Sequence, residues 1–444
     1  MRKILNNLWS QRSQNVWLFL ELIIVCFVAW TQLDPIVVRL YYRSLPSGLD
    51  SEQLVVANII PTQSYDDMEK IPANQQYQYR ESQFQQEADL IKRQLSAING
   101  VEQVSFASTS MGLLARTDLF GSTTFPYKLL YAWQNDTIFA INICYSNDEH
   151  FFETYGIRPI AGCKTPEELS ANTHGWIISR SLAEHFFGSP EAAINKELKA
   201  ASFAGIDWGQ PIVAVVNDVH VSEKDYNTWM VYQNNGDVSS SLTQNLVVLR
   251  LKPGVNPDRF AEEQNYRANE YASDHYAVVS FTTYDDIGTA KNQFVAPTLS
   301  YDFNLQIATA AFFLINLCLG VIGTFWMQTK RRTEESGIMR AFGATKRRVM
   351  TTFLIEGWVL ATISMFIACV LYINYVRLGY GELCISPFLP LNQPDPTWVA
   401  DKPLHFLIVS AIVYMIILCA VLIATAIPAW RICRSEITVA LKDE

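Results

Sequence analysis

Residues 307–348 read IATAAFFLINLCLGVIGTFWMQTKRRTEESGIMRAFGATKRR, and the change of character halfway along decides the fold. Ile307 to Met327 contains no charged residue over 21 positions. At about 1.5 Å per residue, a helix of that length crosses a hydrocarbon core roughly 30 Å thick. The next stretch, Lys330 to Arg348, carries seven basic residues: Lys330, Arg331, Arg332, Arg340, Lys346, Arg347 and Arg348. A membrane-length apolar run that stops at a basic segment reads as a span ending at the cytoplasmic surface.

Three more apolar runs lie on either side: Val16 to Leu33, Phe353 to Val376 and Leu404 to Ile427. Buried helices of a soluble enzyme are the alternative, but long, nearly charge-free runs are uncommon in soluble cores. The first run, preceded by Arg2 and Lys3, also has the outline of a signal peptide. It is long for one, and no small-x-small cleavage site follows Ala29–Trp30. Trp17 and Trp30 near its ends suit a retained span with interfacial anchors.

The basic residues orient the chain. Arg2, Lys3 and Arg12 precede span one, and Arg431, Arg434 and Lys442 follow span four, so both termini and the 328–350 segment are expected inside. The expected layout is a cytoplasmic segment 1–15, span one 16–33, an extracytoplasmic domain 34–300, span two 301–327, the cytoplasmic segment 328–350, span three 351–376, an outer loop 377–403, span four 404–428 and a cytoplasmic tail 429–444. Residues 34–300 hold 19 Lys and Arg against 32 Asp and Glu, and the remainder holds 15 against 11. An acidic exterior with a basic interior fits a chain crossing one membrane. Only 17% of the chain is charged, against about 25% in soluble domains, and half is hydrophobic, which excludes a disordered chain. The net charge of −9 argues against a nucleic-acid binder.

The outer domain reads as α+β. Leu54 to Ile60 is a strand, Ser82 to Ile98 a helix by the spacing of Phe84, Ala88, Ile91 and Leu95, and Val101 to Ala107 a strand. The pattern returns at Leu246 to Leu251, Pro257 to Tyr271 and Ala277 to Thr283. Two β-α-β units so far apart suggest one split subdomain. A second lobe, at about 145–240, is expected between them, with a strand at Ile138 to Ile143, helices at Phe151 to Tyr155 and Leu182 to Phe187, and strands at Trp176 to Ile178 and Ile212 to Val219. The expected fold class is a membrane protein of four transmembrane helices, one plus three, with a two-lobed α+β domain.

Chemistry-bearing motifs are few. There is no G-x-x-x-x-G-K-[ST], so no P-loop binds ATP here, and no G-x-S-x-G or H-E-x-x-H. Asp218 and His220 share a face of the expected strand and offer a metal pair, or a structural one. Cys144, Cys163 and Cys384 face the oxidising side, where a Cys144–Cys163 bridge is one option. Glu21 and Glu356 fall inside spans near the cytoplasmic end, where they either make polar contacts between helices or snorkel to the surface.

In the 330–348 segment Thr333 can cap a short helix, Gly343 can end it in a left-handed turn, and Thr345 can cap the next. Ile338, Ala341 and Phe342 then form an apolar ridge flanked by Glu334, Glu335 and Arg340. Such a helix suits docking in a partner's groove, and a basic loop on anionic lipid is the alternative.

This segment resembles the cytoplasmic signature of the FtsX/MacB-like ABC transporter permeases, roughly R-T-x-E-I-G-I-x-R-A-x-G-A. It matches at Arg332, Thr333, Glu335, Gly337, Ile338, Arg340, Ala341, Gly343 and Ala344, with Ser336 in place of isoleucine. Pro428, Ala429, Ala440 and Leu441 resemble the family's ending. DEHFFETYGIRPIAG, WIISRSLAEHFFG and IVAVVNDVH resemble its MacB-type periplasmic core domain, with Cys163 where arginine is frequent.

The resemblance implies a non-catalytic inner-membrane subunit with no fused ATPase domain and no cofactor of its own. ATP and Mg would be handled by a separate P-loop ATPase, coupled through Arg332, Glu335, Gly337, Ile338, Arg340, Ala341, Phe342 and Gly343. A second permease chain, identical or paralogous, a periplasmic adaptor and a TolC-type outer-membrane duct are implied partners. The implied activity is export or efflux by mechanotransmission. Alternatives are a non-export mechanotransmitter that releases lipoproteins or activates envelope enzymes, and a membrane-anchored receptor.

Overall fold

The computed structural model describes residues 12–50, 52–62, 72, 75–108, 128–145, 150–171, 174–201, 207–220, 226, 228–234, 245–283, 297–331, 338–378 and 393–434. The calls on Arg332, Glu335 and Gly337 lie outside them, as does Thr333.

In chain order, helix α1 (Arg12–Ser44) leads to strand β1 (Leu54–Pro61), helix α2 (Gln76–Ser96) and β2 (Val101–Ser108). Then come β3 (Lys128–Trp133), β4 (Asp136–Tyr145), α3 (Phe151–Tyr155), β5 (Pro159–Ala161), α4 (Pro166–Ser170), β6 (Trp176–Ser179), α5 (Arg180–Phe187) and α6 (Pro190–Ala193). They are followed by β7 (Glu197–Ala201), β8 (Asp207–Val216), β9 (Met230–Asn234), β10 (Asn245–Leu251), α7 (Pro257–Asn265) and β11 (Tyr276–Thr283). Three long helices close the chain: α8 (Pro297–Arg331), α9 (Lys346–Arg377) and α10 (Lys402–Arg434).

The chain divides into a helical unit of Met1–Leu40, Phe303–Pro387 and Pro396–Glu444, and a sheet unit of Tyr41–Asp302 and Phe388–Asp395. Three helices, Val16–Ser44, Lys346–Arg377 and Lys402–Trp430, are long and apolar enough to cross a membrane. Helix α8 holds a shorter apolar stretch, Leu305–Gly320. Leu18, Leu22 and Trp30 of α1 pack with Leu360 and Tyr372 of α9 and Val413 of α10. The Trp30 indole donates to Ser410 Oγ at 3.0 Å, so its one polar atom is satisfied within the apolar core. Helix α1 does not stop where its apolar run stops at Leu33. It continues through Pro35 to Ser44, because Asp34, Val38, Arg39 and Tyr42 keep one face of it buried.

In the sheet unit, β1, β10, β2 and β11 form one half of a single sheet that runs in the order β11-β1-β10-β2-β4-β3-β7-β8-β6-β9, with β5 beside β8 and β4 also pairing β9. The strands expected in two lobes thus join one sheet among the described residues, through the pairing of Ala107 on β2 with Tyr145 on β4. Separate cores remain on its faces. Val55, Ala57 and Ile59 of β1 pack with Ile91 and Leu95 of α2 and Phe260 of α7. Leu54 and Val56 point the other way, against Phe151, Phe152 and Tyr155 of α3. Both faces of β1 are covered, which is why its sequence is an apolar run broken only by Asn58 and not an alternation. Away from that half, Tyr131, Trp176, Leu182 and Ile212 centre another core.

Candidate functional site

Between α8 and α9 the described residues Ile338–Ala341 are helical, and Thr345 caps the start of α9. The turn ends as the glycine spacing predicts. The Gly343 N–H donates to the Arg340 carbonyl and the Ala344 N–H to the Met339 carbonyl, both at 3.0 Å, with Gly343 at φ +90°. This pair of bonds is the Schellman arrangement, in which a left-handed residue lets the last carbonyls of a helix be satisfied. Thr345 has extended backbone and its Oγ1 accepts from the Arg348 N–H at 3.3 Å, so the cap expected from sequence is in place.

The turn has two faces. Met339 and Ala344 pack against a buried cluster of Val349 and Phe353 on α9 and Ala429 on α10, with Met350 beside them. This contact is the apolar closure that accompanies a Schellman end. Ile338 and Phe342 point away from it and are 48% and 88% exposed. Ala341 is exposed as well, and Arg340 is half-buried. The apolar ridge therefore exists, outside the membrane-length part of the helices, and none of the described residues covers it.

Glu21 and Glu356 are acids within long apolar helices. A Cβ added at Gly320 of α8 would lie 2.9 Å from Glu21 Oε1, so Glu21 reaches α8 where glycine leaves room for its carboxylate. The carboxylate of Glu21 thus faces a neighbouring helix. Glu356 is buried in α9 beside the buried Gly357. The sequence reading missed a polar pair, Asp34 of α1 and His405 of α10, whose Oδ1 and Nε2 are 2.6 Å apart. Asp34 falls one residue beyond one apolar run and His405 one residue into another, and no local pattern in the sequence pairs them.

Asp218 and His220 do not sit on a strand, since β8 ends at Val216. Asn217 turns the chain away, its N–H donating to the Arg158 carbonyl and its Nδ2 to the Gly48 carbonyl. Asp218 Oδ1 accepts from the Ser181 N–H at 2.8 Å, and the His220 ring lies between those of Tyr42 and Tyr226, at centroid distances of 6.1 and 5.9 Å. Burial pushes the Asp218 carboxyl and the Tyr226 phenol above their ordinary values. Asp218 is bonded to Ser181 and His220 is packed between tyrosines, so the two do not converge as a ligand pair. Among the described residues, no three His, Cys, Asp or Glu side chains come together as a metal site. Cys163 is a free thiol.

Among known proteins, ABC transporter permease YtrF from Bacillus subtilis (strain 168) is 22% identical over 240 residues, 54% of this chain and 50% of the relative. The chain thus spans about half the length of the curated relative that it matches. The periplasmic region of MacB from Actinobacillus actinomycetemcomitans aligns with 52% of this chain and 90% of its own, at 11% identity and a TM-score of 0.30. The extracellular domain of the noncanonic ABC-type transporter YknZ from Gram-positive bacteria aligns with 50% and 98%, at 13% identity and a TM-score of 0.29. Residues 307–437 match the family described as FtsX-like permease C-terminal, a range that takes in the apolar part of α8, the Ile338–Ala344 turn, α9 and all of α10. Over those residues this chain is similar to FtsX-like permease domains.

Proposed function

We propose that this chain is the membrane subunit of an ABC-type exporter of the bacterial inner membrane, moved by an ATPase on a separate chain. In this reading four spans, 16–33, 301–327, 351–376 and 404–428, place both termini and residues 328–350 in the cytoplasm and residues 34–300 in the periplasm. The Ile338–Gly343 turn, with Arg332, Glu335 and Gly337 ahead of it, docks in a groove of the ATPase. ATP and Mg bind the ATPase, and closure of its subunits passes through the turn into α8 and α9. The work reaches the periplasmic domain as movement, and that domain acts on cargo through an adaptor and a TolC-type duct. A second permease chain completes the complex.

The observation that carries this reading is the turn itself. Its inner face, Met339 and Ala344, is fastened to α9 and α10, while Ile338 and Phe342 present an uncovered apolar ridge. A ridge rigidly joined to membrane-length helices passes a push to them, which a loose lipid-bound loop would not do. The test is purification of the tagged full chain from membranes in mild detergent. A P-loop ATPase should accompany it, and deleting residues 333–343 should release that ATPase. An ATPase retained by the deleted chain would overturn the docking assignment, and hydrolysis of ATP by the chain alone would overturn the reading as a whole.

A further inference from the structure

Two places where the chain passes between its units are fastened together inside the sheet unit. Tyr42 lies two residues beyond Leu40, where α1 leaves the helical unit, and Asp395 is followed at once by Pro396, where the chain returns to it on the way to α10. The Tyr42 hydroxyl donates to Asp395 Oδ2 at 2.6 Å, the short distance of a phenol on a charged acceptor.

Two residues before Asp395, the Gln393 amide is held at three points. Its Oε1 accepts from the N–H groups of Thr228 and Trp229, at 3.0 and 3.2 Å, and its Nε2 donates to Thr228 Oγ1 at 2.7 Å. Thr228 and Trp229 lead directly into β9, which pairs with β4 on one side and β6 on the other. The Trp229 carbonyl accepts from the Ile141 N–H of β4, and Thr228 Oγ1 lies 2.9 Å from Ser181 Oγ of α5. Force on residues 393–395 is therefore received by a strand bonded on both edges, not by a surface loop.

We infer that Tyr42, Gln393 and Asp395 form the joint that delivers motion of the membrane helices to the periplasmic sheet. This role rests on the permease reading above. The three act through β9 and through one another, so they are positioning residues. The bond from Tyr42 makes α1 and the lead-in to α10 move as one, and the Gln393 amide passes that motion to β9. Continuous hydrogen-bonded elements are the physical means by which such coupling travels.

The test uses the full chain with its copurified ATPase in lipid nanodiscs. Hydrogen exchange at Met230–Asn234 is compared between ATP with Mg and orthovanadate and ADP with Mg, and ATP hydrolysis is followed in parallel. In the wild type, β9 exchange should differ between the two nucleotide conditions. In Tyr42→Phe and Gln393→Ala that difference should fall about fivefold or more while hydrolysis stays within about twofold, the range expected when a coupling is cut and the sites survive. Asp395→Asn keeps an oxygen for the Tyr42 hydroxyl and should retain the response, whereas Asp395→Ala should lose it. A role in folding alone would lower the melting temperature and leave the nucleotide response intact, which overturns the joint. Should Gln393→Ala fold poorly, Tyr42→Phe, which removes a single oxygen, decides the matter. A wild-type chain without any ATPase or nucleotide response overturns the permease reading and the joint with it. A wild-type response that all variants share overturns the joint alone.

Discussion

Nε2 of His405 lies 2.6 Å from Oδ1 of Asp34, joining α10 to α1, and both side chains are buried. The other ring nitrogen, Nδ1, is 3.1 Å from the Val399 carbonyl, which fixes the imidazole plane. Breaking such a pair from one side strands a polar group away from water and costs about 3–5 kcal/mol. Asp34→Ala and His405→Ala should each lower unfolding stability in detergent by about 3 kcal/mol. The double replacement by leucine should recover most of that loss, since two apolar side chains leave nothing unsatisfied. Additive single effects in a double-mutant cycle would show that the contact contributes nothing of its own.

Two glycines with left-handed backbones separate strain from clash. Gly188 ends α5 at φ +81° with no atom within 4 Å of an added Cβ, so Gly188→Ala should cost only the conformational term, about 1 kcal/mol. Gly48 has φ +75°, and its added Cβ would lie 2.1 Å from the Asp218 carbonyl oxygen, which is main chain and must move bodily. Gly48→Ala should therefore cost about 3 kcal/mol or more and loosen the 217–220 segment. Equal melting temperatures for the two variants would refute the close approach at Gly48.

Asp218 gives the sheet unit a pH dependence of unusual sign. Burial raises its carboxyl above the ordinary 3.8, with Glu184 pushing the same way and the Ser181 hydrogen bonds opposing. A raised value means the folded state keeps the proton to higher pH than the unfolded chain does. The contribution of Asp218 to stability is then greatest below 3.8 and is lost as pH rises through the folded value. Asp218→Asn keeps an oxygen for the Ser181 N–H and removes the charge. It should melt higher than the wild type at pH 7, and the gap should shrink as the pH is lowered toward 4. A variant less stable than the wild type at pH 7 would refute the assignment.

Sequence was most informative where one physical term dominates. The run Leu54 to Ile60 is covered on both faces, so hydrophobicity alone marks β1 to within a residue, and Phe151–Tyr155 is a helix as read. Strands β3, β7 and β9 were missed because pairing, not pattern, makes them. Lys128–Trp133 is defined by its register with Asp136–Tyr145, and Met230–Asn234 by its place between β4 and β6. At the site, the Gly343 and Thr345 caps were legible because each is a local backbone requirement. Met339 and Ala344 were not, since their role depends on Ala429, some 85 to 90 positions further along the chain. Asp34 with His405 and Tyr42 with Asp395 are likewise pairs more than 350 positions apart, which no local periodicity encodes.

Phe342 offers the sharpest separation of docking from folding. At 88% exposure its ring contributes little to the fold, so Phe342→Asp should change stability by no more than about 0.5 kcal/mol. In a partner's apolar groove the same change buries a carboxylate without a counter-charge, so an ATPase that copurifies with the wild type should be lost. Met339→Ala gives the opposite pattern. It empties the contact with Val349, Phe353 and Ala429, costing about 1–3 kcal/mol, and weakens the link between turn and helices while the ridge remains. ATPase binding should then survive with reduced hydrolysis. The two variants, compared for melting temperature and for bound ATPase, distinguish a ridge that meets a protein from one that rests on lipid. If Phe342→Asp retains the ATPase and instead detaches the segment from anionic vesicles, the lipid reading is the correct one.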